Sequence, residues 1–212
     1  MGWVLDLDGV VWLSDKPVPG SSEAIGELQR RHTDIVFLTN NSSATISEYV
    51  SKLDKMGIVV RAGDVISSAQ AAASLLEPGS TALVCGGKGV EEALEQRGVS
   101  ATRVGGADAV VVGWHRDFDY DRLAAAVTAV RNGARLIGTN DDPTYPTPKG
   151  PLPGAGSILA AVAYASEASP VVAGKPYQPV VDLLRSRLNR IDVVVGDRPS
   201  TDGALAGRLG VP

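Results

Sequence analysis

Cysteine is the residue that this chain has least of, and its scarcity excludes disulfide-stabilised folds. One cysteine, Cys85, occurs among 212 residues, so no disulfide can form within the chain. The two histidines, His32 and His115, are too far apart in sequence to form a paired metal-binding motif. We therefore interpret Cys85 as a small buried hydrophobic residue and expect a reducing, cytoplasmic environment.

Long apolar runs and clusters of basic residues are also missing from the sequence. No run of about 18 apolar residues occurs, so we expect no membrane-spanning helix and no membrane partner. The N-terminus lacks the basic and apolar segments of a signal peptide. The net charge is −4 and the basic residues are scattered, which argues against a nucleic-acid partner. A single basic pocket could still bind a small phosphorylated molecule.

Apolar runs typical of buried strands alternate with helical patterns along nearly the whole chain. This alternation predicts βα units and an α/β fold with a doubly wound, Rossmann-like parallel sheet. The predicted strands are Trp3–Leu7, Ile35–Thr39, Val65–Ser67, Thr81–Cys85, Ala109–Gly113, Arg135–Gly138, Val171–Ala173 and Asp192–Val195. The predicted helices are Ser22–Arg31, Thr45–Met56, Ala69–Leu76, Val90–Arg97, Asp121–Asn132, Ser157–Glu167, Pro179–Leu188 and Asp202–Leu209. A small hairpin or flap is predicted over residues 10–13 and 16–19.

The sequence Asp6-Leu7-Asp8-Gly9 carries two carboxylates where the first predicted strand ends. In open α/β sheets, ligands bind beyond the carboxyl ends of the strands, and Gly9 permits a sharp turn there. A divalent cation or a phosphoryl group would offset the repulsion between the carboxylates. A calcium loop also begins with Asp-x-Asp, but Val10 and Val11 occupy its next ligand and glycine positions. Two solvated aspartates before an ordinary turn are the structural alternative.

Polar residues follow three further predicted strands. Thr39-Asn40-Asn41-Ser42 offers a hydroxyl and backbone N–H groups suited to an oxyanion. Gly174-Lys175-Pro176 supplies a positive charge, and Gly196-Asp197 with Thr201-Asp202 supplies further carboxylates. Each motif alone can be a polar turn, an exposed lysine or a helix cap. Together they form the set that Mg²⁺-dependent phosphoryl transfer requires.

In their order, spacing and strand-end positions, these motifs resemble those of the haloacid dehalogenase superfamily of phosphatases. The Thr-Asn-Asn and Gly-Lys-Pro forms, with a long insert between them, resemble the subgroup that carries an α/β cap between its second and third motifs. That subgroup includes p-nitrophenylphosphatases, phosphoglycolate phosphatases and pyridoxal phosphatases. The resemblance implies a core domain of residues 1–78 and 171–212 and an inserted cap domain of residues 79–170. It also allows a homodimer formed through the cap.

The resemblance implies Mg²⁺-dependent hydrolysis of a small phosphate monoester, with a phosphorylated metabolite as the partner. Asp6 would be the nucleophile that becomes an aspartyl phosphate, and Asp8 the catalytic acid and base. The implied phosphate-binding residues are Thr39, Asn40, Asn41 and Lys175. The implied Mg²⁺ ligands are Asp6, the Asp8 carbonyl group and Asp197, with Asp202 as a supporting residue.

Two alternative functions use the same motifs. A phosphotransferase would pass the phosphoryl group from the same intermediate to an alcohol. A non-catalytic remnant would still bind Mg²⁺ and phosphate. Family members continue beyond the position of Pro212 with another core strand and helix, so we expect the chain to be a C-terminally truncated form of the fold.

Two segments that interrupt the regular pattern lie within the predicted cap. The segment from Asn140 to Gly156 is rich in Pro, Gly, Asp and Thr. It is expected to be a long ordered loop that selects the substrate, with candidate contacts at Asn140, Asp142, Tyr145 and Lys149. A well-packed proline-rich connector is the structural alternative. Gly86-Gly87-Lys88-Gly89 imitates a phosphate-binding loop. It lacks the Ser or Thr that this loop needs, so it predicts a strand-to-helix turn instead.

Overall fold

The computed structural model describes residues 1–147 and 149–212; residue 148, within the predicted substrate-selecting loop, lies outside the described residues. Contacts along the chain form two compact units. The first contains residues 1–39, 46–67 and 175–212, and the second contains residues 40–45 and 68–174. Each unit has its own parallel sheet with helices packed beside it. The predicted α/β fold class is thereby confirmed.

Strands and helices alternate as the sequence predicts. The strands are β1 (Gly2–Asp6), β2 (Trp12–Leu13), β3 (Lys16–Pro17), β4 (Asp34–Thr39), β5 (Val65–Ser67), β6 (Thr81–Cys85), β7 (Ser100–Thr102), β8 (Ala109–Val112), β9 (Arg135–Gly138), β10 (Thr144–Tyr145), β11 (Leu152–Pro153), β12 (Val171–Val172) and β13 (Val193–Val195). The helices are α1 (Ser21–Arg30), α2 (Ile46–Lys55), α3 (Ser68–Ala73), α4 (Lys88–Arg97), α5 (Tyr120–Arg131), α6 (Ala155–Ser166), α7 (Gln178–Arg187) and α8 (Ala204–Leu209). None of the described helices is long and apolar enough to cross a membrane.

The sheet of the first unit has the order β13-β1-β4-β5, and its strands pair in parallel. Val4 in β1 pairs with Val36 on one side and with Val194 on the other. The side chains of Val4 and Val36 are almost completely buried, as expected for a strand covered on both faces. Since β4 and β13 lie on opposite sides of β1, the direction in which successive strands are added to the sheet reverses at β1. Ligands bind at such a switch point in open α/β sheets.

The sheet of the second unit has the order β12-β9-β8-β6-β7, also with parallel pairing. Its core includes Val110, Leu136, Leu159 and Val162, which come from the sheet and from α6. The three inner strands β6, β8 and β9 are short and rich in Val, Leu and Ile, and nearly every side chain on them is buried.

Three local features differ from the sequence prediction. The predicted loop over residues 140–156 contains an antiparallel hairpin in which β10 pairs with β11, and two-residue strands are too short to show an alternating pattern. The polar strand β7 was also not predicted. The last helix begins at Ala204 rather than Asp202, because Pro199–Gly203 form a π-helical turn.

The boundaries of the two units differ from the predicted domain limits. The predicted core resumed at residue 171, whereas Val171 pairs with Ile137 in the second sheet. Residues 40–45 also group with the second unit, where Gly89 N–H donates a 3.1 Å hydrogen bond to the Ser43 carbonyl. Helix α3 packs against α4 there, although the prediction placed it in the core. The assignment of the units as catalytic core and cap stays a prediction.

Candidate active site

The carboxylates of Asp6 and Asp8 lie where the central strand β1 ends. Asp6 is 7% exposed, and β1 lies between β13 and β4 in the sheet. The chain then turns sharply: the Leu7 carbonyl accepts hydrogen bonds from the N–H groups of Val11 and Trp12. Gly9 adopts a φ of 95° in this turn, a conformation that glycine reaches without strain. The buried strand and the turn together present two acidic side chains at one sheet edge.

Lys175 joins two of the acidic residues in a buried ionic cluster. Its Nζ donates to Asp6 Oδ1 and to Asp202 Oδ1, each at 2.6 Å. The Lys175 side chain is only 3% exposed. Lys175 and Asp6, both predicted as site residues, are therefore in direct contact. Asp202 is additionally held through its Oδ2, which accepts a 3.1 Å hydrogen bond from Arg198 N–H.

Burial and charge act in opposite directions on this cluster. Burial raises the pKa of Asp6 to about 7, although the Lys175 charge opposes the shift. Burial acts to lower the pKa of Lys175, but the nearby carboxylates of Asp6 and Asp202 raise it above its usual value. The ammonium group therefore stays charged at neutral pH. The Asp6 carboxylate needs further positive charge beside it to be fully ionised there.

Asp197 brings a third carboxylate to the same place. Carboxylate oxygens of Asp6, Asp197 and Asp202 all lie within 4.8 Å of one another. A Cβ atom at Gly9 would lie 2.3 Å from Asp197 Oδ2, and one at Gly196 would lie 2.1 Å from Asp202 Cβ. Glycine at both positions leaves the carboxylates room to approach. Three carboxylate oxygens so placed fit a hard divalent cation such as Mg²⁺.

Asp8 accepts hydrogen bonds on both of its carboxylate oxygens. Trp12 Nε1 donates to Oδ1 at 2.9 Å, and Thr39 Oγ1 donates to Oδ2 at 3.3 Å. Thr39 lies at the end of β4, next to β1, so the structure brings together two residues that the sequence placed on different strands. Trp12 was not predicted as a site residue. Its only sequence signal is an aromatic side chain four residues after Asp8.

Asn40 and Asn41, the other predicted phosphate-binding residues, belong to the second unit. The Asn40 carbonyl accepts 2.6 Å hydrogen bonds from Ser68 Oγ and Asn140 Nδ2, and Asn40 Nδ2 donates to Asp142 Oδ2 at 3.2 Å. The Asn41 side chain accepts from Ser43 N–H and Oγ in a local turn. The phosphate contacts proposed for these two residues stay predictions.

The candidate substrate contacts of the predicted loop lie within the second unit as well. Asn140 and Asp142 contact Asn40, as described above, and this anchors the segment that follows β4. Tyr145 packs edge-to-face on Trp114, with ring centroids 4.8 Å apart. Lys149 is exposed.

The Gly86–Gly89 motif forms the predicted strand-to-helix turn, since β6 ends at Cys85 and α4 begins at Lys88. Gly87 packs on Ser43 and Gly89 packs on Ala44. This prediction is therefore confirmed.

Comparisons with known proteins show which family the chain belongs to. Residues 3–100 match the sequence profile of haloacid dehalogenase-like hydrolases. The acid sugar phosphatase of Staphylococcus saprophyticus is 36% identical over 207 residues, which are 94% of this chain and 80% of that protein. The chain belongs to the haloacid dehalogenase-like hydrolases. The family expected from the motifs is thereby confirmed.

Solved structures of phosphatases are similar to this chain over nearly its whole length. The glycerol phosphate phosphatase of Mycobacterium tuberculosis, in complex with magnesium, has a TM-score of 0.91 and 34% identity. The match covers 100% of this haloacid dehalogenase-like chain and 65% of that one. The p-nitrophenyl phosphatase of Archaeoglobus fulgidus has a TM-score of 0.91 and 28% identity, over 99% of this chain and 83% of that one.

Proposed function

We propose that this haloacid dehalogenase-like hydrolase is a Mg²⁺-dependent phosphatase that hydrolyses small phosphate monoesters through an aspartyl phosphate on Asp6. The observation that carries the proposal is the contact of one buried lysine with two carboxylates, beside a third that completes an acidic oxygen cluster. An acid cluster with one ammonium group suits a dianionic phosphoryl group only when a divalent cation is also bound. Similarity to phosphatases of three organisms supports the reaction type.

In the first half-reaction, the Asp6 carboxylate attacks the phosphorus atom and a bond forms between them. The bond from phosphorus to the leaving oxygen breaks, and this oxygen takes a proton from the Asp8 carboxyl group. Lys175, 2.6 Å from Asp6 Oδ1, holds the nucleophile in place and stabilises negative charge on the phosphoryl oxygens. A fixed positive charge in a buried site costs no reorganisation when the transition state forms.

In the second half-reaction, the Asp8 carboxylate takes a proton from a water molecule that attacks the phosphorus of the aspartyl phosphate. The bond to Asp6 breaks, inorganic phosphate leaves and Asp6 is regenerated. A single residue can serve both steps because the acid of the first step becomes the base of the second. A carboxylate nucleophile thus divides one difficult hydrolysis into two easier steps.

Bound Mg²⁺ would neutralise charge on the carboxylates and on the phosphoryl oxygens. Asp6, the Asp8 carbonyl group and Asp197 would hold it. Asp202, whose oxygens bond Lys175 and the Arg198 N–H group, would support the site. Thr39, with backbone groups of Asn40 and Asn41, would bind phosphoryl oxygens. A small phosphorylated metabolite is the proposed partner.

The test is phosphate release from p-nitrophenyl phosphate and from sugar phosphates, with Mg²⁺ and with excess EDTA. We expect activity that requires Mg²⁺ and that Asp6→Asn abolishes. Asp54→Asn is the matched control, because Asp54 is an exposed residue of α2. In Asp8→Asn, rapid quenching with radiolabelled p-nitrophenyl phosphate, whose leaving group needs no proton from Asp8, should trap label on the protein that hydroxylamine releases. Wild-type turnover in Asp6→Asn would disprove the assignment of the nucleophile.

A further inference from the structure

The indole ring of Trp12 lies beside Asp8 because of the turn that follows β1. The Leu7 carbonyl accepts the N–H groups of Val11 at 2.9 Å and Trp12 at 3.1 Å, and Gly9 N–H donates to the Trp12 carbonyl at 2.7 Å. These bonds close a compact turn from residue 7 to residue 12. The side chain of Trp12 returns toward the acidic residue that begins the turn.

The indole nitrogen is one of two donors that fix the Asp8 carboxylate. Trp12 Nε1 lies 2.9 Å from Oδ1, an ordinary hydrogen-bond length, while Thr39 Oγ1 lies 3.3 Å from Oδ2. Because each oxygen has its own donor, the plane of the carboxylate is defined. The shorter contact is the one made by the tryptophan.

Helix α2 holds the indole ring from the other side. Tyr49 stacks on Trp12 with ring centroids 6.5 Å apart and an angle of 4° between the planes. The Lys52 ammonium lies 4.3 Å from the centre of the Trp12 ring and donates to the Ser14 carbonyl at 2.6 Å. Trp12 itself is 1% exposed. The direction of its N–H group is therefore set by packing as well as by the hydrogen bond.

Packing a tryptophan in this unit does not by itself bring its N–H group to an acceptor. The indole nitrogen of Trp3, in β1, is also buried, and it has no hydrogen-bond partner within residues 1–147 and 149–212. The contact between Trp12 and Asp8 is thus a specific feature of the turn rather than a general result of burial.

We propose that Trp12 is a positioning residue that fixes the orientation in which the Asp8 carboxyl group meets the leaving oxygen of the substrate. The inference rests on the proposed function, in which Asp8 is the acid and base. An indole nitrogen can donate a hydrogen bond but cannot accept one. The Trp12 N–H group therefore holds Oδ1 as an acceptor, and Oδ2 is the other oxygen of the oriented carboxyl group. That oxygen faces Thr39, the residue proposed to bind the phosphoryl group.

The test compares substrates whose leaving groups differ in their need for a proton. Glycerol 3-phosphate releases an alkyl oxygen that must be protonated, whereas p-nitrophenyl phosphate releases a stable phenolate. Trp12→Phe keeps an aromatic ring on Tyr49 and removes the N–H donor. Since general acid catalysis contributes about 10²–10⁴-fold, we expect the ratio of kcat/KM for glycerol 3-phosphate to that for p-nitrophenyl phosphate to fall about tenfold or more. Trp3→Phe, the matched control, should keep the wild-type ratio.

A ratio that is unchanged in Trp12→Phe, whether both activities persist or fall equally, would overturn the inference. Absence of Asp6-dependent activity toward both substrates in the wild type would instead overturn the proposed function. A spectroscopic readout is independent of turnover: the three tryptophans give three indole signals in proton–nitrogen correlation spectra. Asp8→Ala should shift the Trp12 signal, assigned by its loss in Trp12→Phe, toward that of a free indole. A Trp12 signal that stays in place would also refute the proposal.

Discussion

Removing the ammonium group of Lys175 should destabilise the first unit strongly. Lys175 makes two 2.6 Å ion pairs, with Asp6 and Asp202, and all three side chains are buried. Removing one partner of a buried pair leaves an uncompensated charge and costs about 3–5 kcal/mol. We therefore expect Lys175→Met to lower the free energy of unfolding by about 3 kcal/mol or more in Mg²⁺-free buffer. The variant can relieve part of this by protonating Asp6, so the loss should be larger at about pH 8 than at about pH 6.

The assay is urea unfolding followed by tryptophan fluorescence in a Trp114→Phe background. The remaining indoles, Trp3 and Trp12, then both report on the first unit. Lys55→Met is the control, because Lys55 is exposed on α2.

A double variant tests the physical cause of this loss of stability. Adding Asp6→Asn to Lys175→Met removes one of the stranded charges, so the two changes should be non-additive by about 1–3 kcal/mol. Strict additivity would refute the reasoning. So would a Lys175→Met variant that unfolds within about 1 kcal/mol of its parent.

Three further outcomes are expected. Burial raises the pKa of Asp6 to about 7, so between about pH 4 and pH 7 the folded protein keeps a proton that the unfolded chain has lost. In EDTA, the free energy of unfolding from urea titrations should therefore fall as the pH rises through this range, and added Mg²⁺ should make the fall smaller. Gly9→Ala should weaken Mg²⁺ binding measured by calorimetry, because the new Cβ would lie 2.3 Å from Asp197 Oδ2. Gly20→Ala is the control: its φ of 84° is close to the 95° of Gly9, but no atom lies within 4 Å of the new Cβ, so Mg²⁺ binding should not change. Burial raises the pKa of the Cys85 thiol to about 12, so iodoacetamide at about pH 8 should label it only as fast as the second unit opens; rapid labelling of the native protein would contradict this.

The sequence predicts the elements well because their signals are local. The run from Trp3 to Leu5 ends in two aspartates, and β1 ends at Asp6. Every predicted strand and helix has a counterpart within a few residues. The same local signal cannot say which sheet a strand joins, because pairing depends on residues distant in sequence. The resemblance to the family implied a core that resumes at residue 171, whereas Val171–Val172 pair with β9.

In the candidate site, too, the residues could be predicted from local sequence signals, but the contacts between distant residues could not. The site residues were predicted from strand ends and from the family's motifs. The structure places Asp6, Asp8, Thr39, Lys175 and Asp197 in the first unit, and Asn40 and Asn41 in the second. The contacts that tune them could not be predicted. The bond from Trp12 to Asp8 depends on a turn closed by three backbone hydrogen bonds. Asp197 lies close to Gly9 although the two residues are 188 positions apart in the sequence. Such proximity depends on how their two loops pack, which local sequence signals do not indicate.

The charges of the site explain why its parts depend on one another. Asp6, Asp197 and Asp202 carry three negative charges when ionised, and Lys175 supplies one positive charge in contact with two of them. With Asp8 protonated, as the acid of the first half-reaction, the excess is two negative charges, the amount that one divalent cation neutralises. A dianionic phosphate monoester approaching the cluster without that cation would meet net repulsion, and the raised pKa of Asp6 shows that the buried cluster already favours taking up a proton. Cation binding would therefore both ionise the nucleophile and admit the substrate, so the first half-reaction would depend on the ion in two ways.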